Sequence, residues 1–195
     1  MEKKEKFFNT RNVVYLAILT ALLVVLILLS TVFKIIANLN LTLIPIVLAS
    51  LLLGYRGGLI LGFISGLMTY LFGAFGIDTF TNILFINHPV ITFFVCVLKT
   101  SFAGLFAGIV YNLIKPKNQY VAIFVASGLA PIINTGLFIL GALTMYNTIA
   151  REFSENVIYF LVIVCAGVNF LIEFAINLIV APAISTVVKV LDKNV

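Results

Sequence analysis

The chain has 195 residues, 63% of them hydrophobic and 10% charged, with a mean hydropathy of +1.22 and a formal net charge of +5. Soluble domains carry about 25% charged residues because their surfaces face water, so this composition excludes an ordinary soluble domain and makes lipid the solvent. Nucleic-acid binding is excluded as well, since the positive residues are strung between apolar runs and do not gather on a soluble face.

Charges divide the chain into long uncharged runs. Residues 1–12 read as a basic N-terminal segment on the cytoplasmic side, ahead of a single transmembrane domain over residues 13–190 and a short cytoplasmic tail over residues 191–195. The first run, Asn12 to Phe33, has 22 residues. It is too long for a signal-peptide core, and no small-residue cleavage site comes after it, so it is expected to be retained. The second, Ile35 to Tyr55, contains Pro45 and is expected to be short or irregular from about Leu41. A turn at Gly54-Tyr55-Arg56-Gly57-Gly58 leads into the third, Gly57 to Ile77. The run after Asp78 carries the turn signal Asn87-His88-Pro89, and Lys99 divides the stretch beyond Pro89 into pieces too short to span alone. The fourth segment is therefore one helix from about Pro89 to Ile114 with a lysine inside it. Asn118 to Ala150 supplies the fifth, and Asn156 to Val188, broken only by Glu173, the sixth. A span needs about 20 apolar residues, and unpaired backbone is costly in hydrocarbon, so each run is expected to be helical. The expected fold is an all-α integral membrane protein, a bundle of six transmembrane helices with both termini cytoplasmic.

Loop charges agree with that count. Lys3, Lys4, Lys6, Arg11, Arg56, Lys115, Lys117, Lys189 and Lys193 fall on the cytoplasmic side, and only Lys34 and Arg151 fall outside, nine against two. This is the asymmetry of the positive-inside rule, and an odd number of spans spoils it. Asn38 and Asn40 lie in the first outer loop, and Arg151, Glu152 and Glu155 read as a solvated outer loop.

Catalysis finds no support. One histidine, no Ser-His-Asp or paired-carboxylate spacing, no clustered metal ligands and no phosphate-cradling glycine loop leave an enzyme without its groups. Neither a metal nor a cofactor is expected. Cys96 and Cys165 lie inside apolar runs and read as small buried hydrophobes.

Two patterns remain. Gly54, Gly58, Gly62 and Gly66 recur every four residues, as do Gly104 and Gly108, and as do Ala17 and Ala21. Four-residue spacing stacks small residues on one helix face and lets another helix approach closely. For the glycines, packing within the bundle is the favoured reading. For Ala17 and Ala21 the spacing leaves open whether the facing helix belongs to this chain or another. The second pattern is polar. Asn169, Glu173 and Asn177 line one face of the last segment, and Lys99 lies near the middle of the fourth. A charge at such depth costs roughly 3 kcal/mol or more. Lys99 and Glu173 therefore either pair with each other or face a polar cavity, where the lysine suits a carboxylate. Asn134 and Thr135 come after Pro131 in the fifth segment, and Asn82, Asn87, His88 and Asp78 lie near the outer ends of the third and fourth. These groups run from mid-membrane outward, as a binding site loaded from outside requires.

Several stretches resemble a known family. Ala17-Ile-Leu-Thr-Ala21, the run from Leu41 to Gly54, Phe85-Ile-Asn-His-Pro89, Ile133-Asn-Thr-Gly136 and Asn169-Phe-Leu-Ile-Glu173 are similar to landmarks of the substrate-binding S components of energy-coupling-factor (ECF) vitamin transporters. The resemblance implies a subunit of the prokaryotic plasma membrane that captures a vitamin outside and docks on a transmembrane scaffold carrying two ATPases. The subunit then reorients to release its cargo inward. It implies that Ala17 and Ala21 contact the scaffold, and that Asn82, Asn87, His88, Lys99, Asn134, Asn169 and Glu173 are the candidates for substrate binding. Pantothenate-type members are the nearest likeness. They often show Pro-Arg in the fourth segment, where this chain has Phe93-Phe-Val-Cys-Val-Leu-Lys99, a lysine without the proline. Riboflavin, folate and pyridoxine-like compounds are the other expected classes. Two rival readings are a secondary carrier or channel using Lys99 and Glu173 as an ion relay, and a membrane scaffold that transports nothing.

Overall fold

In the computed structural model, residues 9–33 and 41–192 are described; the expectations for Lys3, Lys4, Lys6, Lys34, Asn38, Asn40 and Lys193 lie outside them. The described chain is helical throughout, joined by short turns. The elements are α1 (Thr10–Phe33), α2 (Leu43–Leu52), α3 (Gly54–Ala74), α4 (Thr79–Asn87), α5 (Pro89–Ile114), α6 (Gln119–Leu143), α7 (Tyr146–Glu152) and α8 (Val157–Tyr159), the last running through a π-helical stretch (Phe160–Gly167) into α9 (Val168–Asp192).

Local chemistry sets these boundaries. Pro89 opens α5, where a missing N–H costs nothing because the first helical N–H groups have no intrahelical partner. The Asn118 side chain caps α6 by accepting from the amides of Tyr120 and Val121 at 2.9 and 3.2 Å. Gly54 turns the chain between α2 and α3 at φ 73°, a conformation that a Cβ disfavours.

Among the described residues, five helical stretches are long and apolar enough to cross a membrane, where the sequence suggested six. The difference is α2, which has 10 residues. At about 1.5 Å per residue it covers roughly half of a hydrocarbon core about 30 Å thick. The left-handed turn at Gly54 ends it early. The fourth segment is one helix from Pro89 to Ile114 with Lys99 inside, as expected. The run from Asn118 to Ala150 divides differently, since α6 stops at Leu143 and the chain turns into α7. Residues read as an open outer loop, Arg151 and Glu152, thus finish a helix.

The central seam is between α3 and α5. A Cβ added to Gly58 would lie 2.5 Å from the Gly104 carbonyl oxygen, one on Gly66 2.5 Å from that of Cys96, and one on Gly62 closer still to that of Thr100. The glycine stripe is thus packing within the bundle. Thr100 Oγ1 of α5 donates to the Gly62 carbonyl of α3 at 2.6 Å, and Ser50 Oγ of the neighbouring α2 to that of Gly104 on α5 at 2.8 Å. Between helices in lipid, close backbone approach and such bonds replace the hydrophobic drive that water supplies elsewhere.

Rising numbers on α3 meet falling numbers on α5, so the two are antiparallel. The same holds for α5 and α6, where Val95 meets Gly141 and Lys99 meets Phe138, and for α6 and α9, where Tyr120 meets Lys189 and Gly128 meets Phe174. One end of the bundle consequently holds the starts of α3 and α6 and the finishes of α5 and α9. Two apolar cores result. The larger runs through Leu23, Ile46, Leu61, Ala107, Ile123 and Ile184. The smaller, at the opposite end, gathers Leu84, Met145, Ile149, Val157 and Leu161.

Candidate functional site

A cavity of about 440 Å³ opens between the two cores. Ile27 and Phe72 of its wall belong to the larger core, and Phe80, Phe138 and Phe160 to the smaller. The long helices contribute to its lining from the halves that point away from the end where α3 and α6 start. The late turns of α1 and α3 bring Ile27, Thr69 and Phe72, and the start of α2 brings Thr42. The early half of α5 brings Lys99, the late half of α6 brings Asn134, Thr135 and Phe138, and the π stretch with early α9 brings Val164, Cys165, Asn169, Phe170 and Glu173.

Polar groups are few and placed. Lys99 Nζ stands 5.0 Å from the centroid of the Phe138 ring, a cation–π contact on the cavity wall. Asn134 is 5% exposed, and its Oδ1 has no hydrogen-bond partner among the described residues. A buried acceptor left unmade costs about 1–3 kcal/mol, so this oxygen is the best placed in the wall to receive a donor from a bound molecule. Asn169 Nδ2 donates to the Cys165 carbonyl at 3.0 Å, which aligns the amide along the π stretch. Glu173 is buried, and its own carbonyl accepts from Asn177 Nδ2 at 2.8 Å. At the rim Thr81 Oγ1 donates to Asp78 Oδ2 at 2.5 Å. Aromatic rings close that side: Phe80 stacks near Phe153 and Phe138 with centroids 5.1 and 5.9 Å apart, and Phe153 lies 5.3 Å from Phe160.

Of the seven residues singled out for binding, Lys99, Asn134, Asn169 and Glu173 therefore share one wall. Asn82, Asn87 and His88 do not line the cavity. Asn82 Nδ2 donates to the Gly73 carbonyl at 2.7 Å and braces the α3–α4 turn. Asn87 Oδ1 accepts from Arg151 Nη2 at 3.0 Å, and His88 Nε2 stands 2.8 Å from Thr148 Oγ1. Both tie the α4–α5 corner to α7. Ala17 and Ala21 lie on the exposed side of α1, while Leu19, Leu23 and Ile27 face the bundle.

Sequence reasoning missed Thr42, Thr69, Thr81 and the aromatic walls. Nothing distinguishes Phe80, Phe138 or Phe160 in sequence from a lipid-facing phenylalanine such as Phe94, which is 53% exposed. Among the described residues, no three His, Cys, Asp or Glu side chains are grouped so as to hold a metal.

No curated protein and no solved structure matches the chain. The model of a protein family does, over residues 11–185, which takes in the whole cavity and all of the helical bundle but the last turns of α9 and the first residue of α1. That family is a transporter component and not a class of enzymes, it accords with a multi-pass membrane protein, and its match shows that the chain belongs to the family described as "ECF transporter, substrate-specific component".

Proposed function

We propose that the chain is the vitamin-capturing S component of an ECF-type importer, and that the 440 Å³ cavity is where the vitamin is held. The observation that carries this reading is the convergence of Lys99, Asn134, Asn169 and Glu173, from three different helices, on one small chamber. Its volume lies toward the lower end of the roughly 300–1,000 Å³ usual for small-molecule pockets, which favours a compact ligand over folate or a flavin. Pantothenate is the best fit. Its carboxylate would meet Lys99, its amide and hydroxyl donors would be received by Asn134 Oδ1 and Glu173, and its aliphatic part would lie against Phe72, Phe138 and Phe170.

Orientation comes from charge. The described residues Arg11, Arg56, Lys115, Lys117 and Lys189 lie at the end remote from the cavity, which by the positive-inside rule is cytoplasmic. The cavity then opens toward the outer side, both termini are inside, and α2 completes the sixth segment of the bundle. Release inward needs docking through Ala17 and Ala21 on a transmembrane scaffold carrying two ATPases. Asn82, Asn87 and His88 hold the cap over the chamber.

Native mass spectrometry of the purified chain, with subsequent titration against a panel of vitamins, tests the reading. A tightly retained pantothenate is the expected result; a well-folded protein that binds none of the panel overturns it. Because Lys99 and Glu173 line the same chamber, an ion-relay carrier is the second reading. Uptake driven by a proton gradient with no ATPase present would establish that alternative.

A further inference from the structure

We propose that a bound water molecule bridges α6 and α9 just below the chamber, on the side toward the start of α6, held by Ser127 and Asn177. Neither residue lines the cavity. Ser127 is fully buried and Asn177 is 1% exposed, yet Ser127 Oγ and Asn177 Oδ1 have no hydrogen-bond partner among the described residues. The two share one layer of the bundle. A Cβ on Gly128 would lie 3.2 Å from Phe174 Cε2 and 3.5 Å from Leu178 Cδ2, which sets Ser127 level with the turn of α9 that carries Asn177. Both side chains are turned inward: Ser127 is in register with buried Ala130 and Asn134 along α6, and Asn177 with buried Glu173 and Ala181 along α9. A third group is freed at the same level. Pro131 lies inside α6 and has no N–H to give the Ser127 carbonyl, which an unbroken α-helix would pair with the residue four further on.

The chemistry of these groups selects water. Asn177 Nδ2 already donates to the Glu173 carbonyl at 2.8 Å, so the amide oxygen is what remains to be met. One water donates to Asn177 Oδ1 and to the Ser127 carbonyl and accepts from the Ser127 hydroxyl, making the roughly three bonds that buried waters usually make. Left dry, the same groups would be orphans of a kind that native interiors rarely keep. Ala130 and Ala181, one turn along the same two faces, keep the neighbouring side chains short. A hard metal cation is the poorer occupant, because it collects about six oxygens or more. The bridge positions the chamber wall. Beyond Pro131, α6 carries Asn134, Thr135 and Phe138 to the chamber, and Glu173 stands one turn from Asn177 on α9. The inference concerns the bundle alone and is independent of what the chamber binds.

The test uses the full chain in detergent micelles with isotope-labelled asparagine, and reads magnetisation transfer from water to the side-chain amides by NMR. The Asn177 amide, assigned by its loss in Asn177→Ser, is expected to show contact with a long-lived water, and Ser127→Ala is expected to remove it. Asn169, which lines the chamber, serves as the hydrated reference. Ser127→Ala should also lower the thermal midpoint by about 2–4 °C, because it breaks bonds that are made. In a dry seam the same change deletes an unpaired hydroxyl, and the midpoint would hold or rise. An Asn177 amide without water contact beside a hydrated Asn169, or a midpoint that holds or rises in Ser127→Ala, would overturn the proposal. So would a midpoint of the native chain that falls when choline replaces sodium, which would assign the site to a cation. If Asn177→Ser does not fold, the amide whose water contact Ser127→Ala removes identifies the site, and no such amide overturns it.

Discussion

On the proposed function, Lys99 is the residue that sets the charge of the ligand. Lys99 Nζ lies 5.0 Å from the Phe138 centroid on the chamber wall, and a charge-assisted bond to a carboxylate is worth about 1.5–3 kcal/mol. Lys99→Ala is expected to weaken binding of an anionic vitamin by roughly ten- to a hundredfold, measured by calorimetric titration of the purified subunit. Unchanged affinity in a folded variant would leave the lysine a purely structural role. Glu173 shares the chamber, so Glu173→Gln and Lys99→Ala are expected to be non-additive in affinity by about 0.5–3 kcal/mol in a double-mutant cycle. Strict additivity would show that the two groups act on separate parts of the ligand or on none. Both residues were legible in the sequence, because a charge in the middle of an apolar run has few structural excuses. Asn134 Oδ1 was legible only as a polar step; that the oxygen lacks a partner is a property of its surroundings.

At the scale of elements, the α3–α5 seam and the outward face of α1 are two uses of the same spacing. The glycines are buried against backbone. Gly62→Val would drive a side chain into the Thr100 carbonyl and break the bond that Thr100 Oγ1 donates. Overpacking of this kind costs about 1–3 kcal/mol, more than any gain from removing a helix glycine. The expected result is a lowered thermal midpoint, and a midpoint at or above that of the native chain would show that the seam yields. Ala17 and Ala21 are exposed beside Val14 and Ile18, on the side of α1 away from Leu19 and Leu23. Tryptophan at either alanine is therefore expected to leave vitamin affinity within about twofold, as a surface change remote from the cavity should, and to abolish uptake by the assembled importer. Loss of binding in the isolated subunit would mean that this face packs within the bundle. The α5 boundaries were readable because the pieces on either side of Lys99 are too short to span alone. The brevity of α2 was readable only in outline, from Pro45 and the glycine turn.

For the molecule as a whole, the proposed function divides the labour of import: this chain supplies the chamber and the small-residue face, and ATP would be handled by partner subunits. Uptake into vesicles is expected only when scaffold and ATPases are reconstituted with it, and to continue when the proton gradient is collapsed. Accumulation by the subunit alone, driven by a gradient, would transfer the function to the carrier reading. Binding should also stabilise the fold, since a ligand held by the native state alone contributes about 2.7 kcal/mol at a hundredfold excess over Kd.

Sequence alone determined the solvent, the helical character of the apolar runs and the order of charges along the chain. These depend on composition and on the run length needed to satisfy backbone in hydrocarbon, and neither requires knowing which helix touches which. Tertiary structure decided which polar residues meet. Lys99, Asn134, Asn169 and Glu173 converge on one chamber, while Asn82 braces the α3–α4 turn and Asn87 and His88 tie the α4–α5 corner to α7. That choice rests on how each helix is rotated and how far it slides along its neighbour, which the glycine seam sets for α3 and α5 and which no pattern within a single segment encodes.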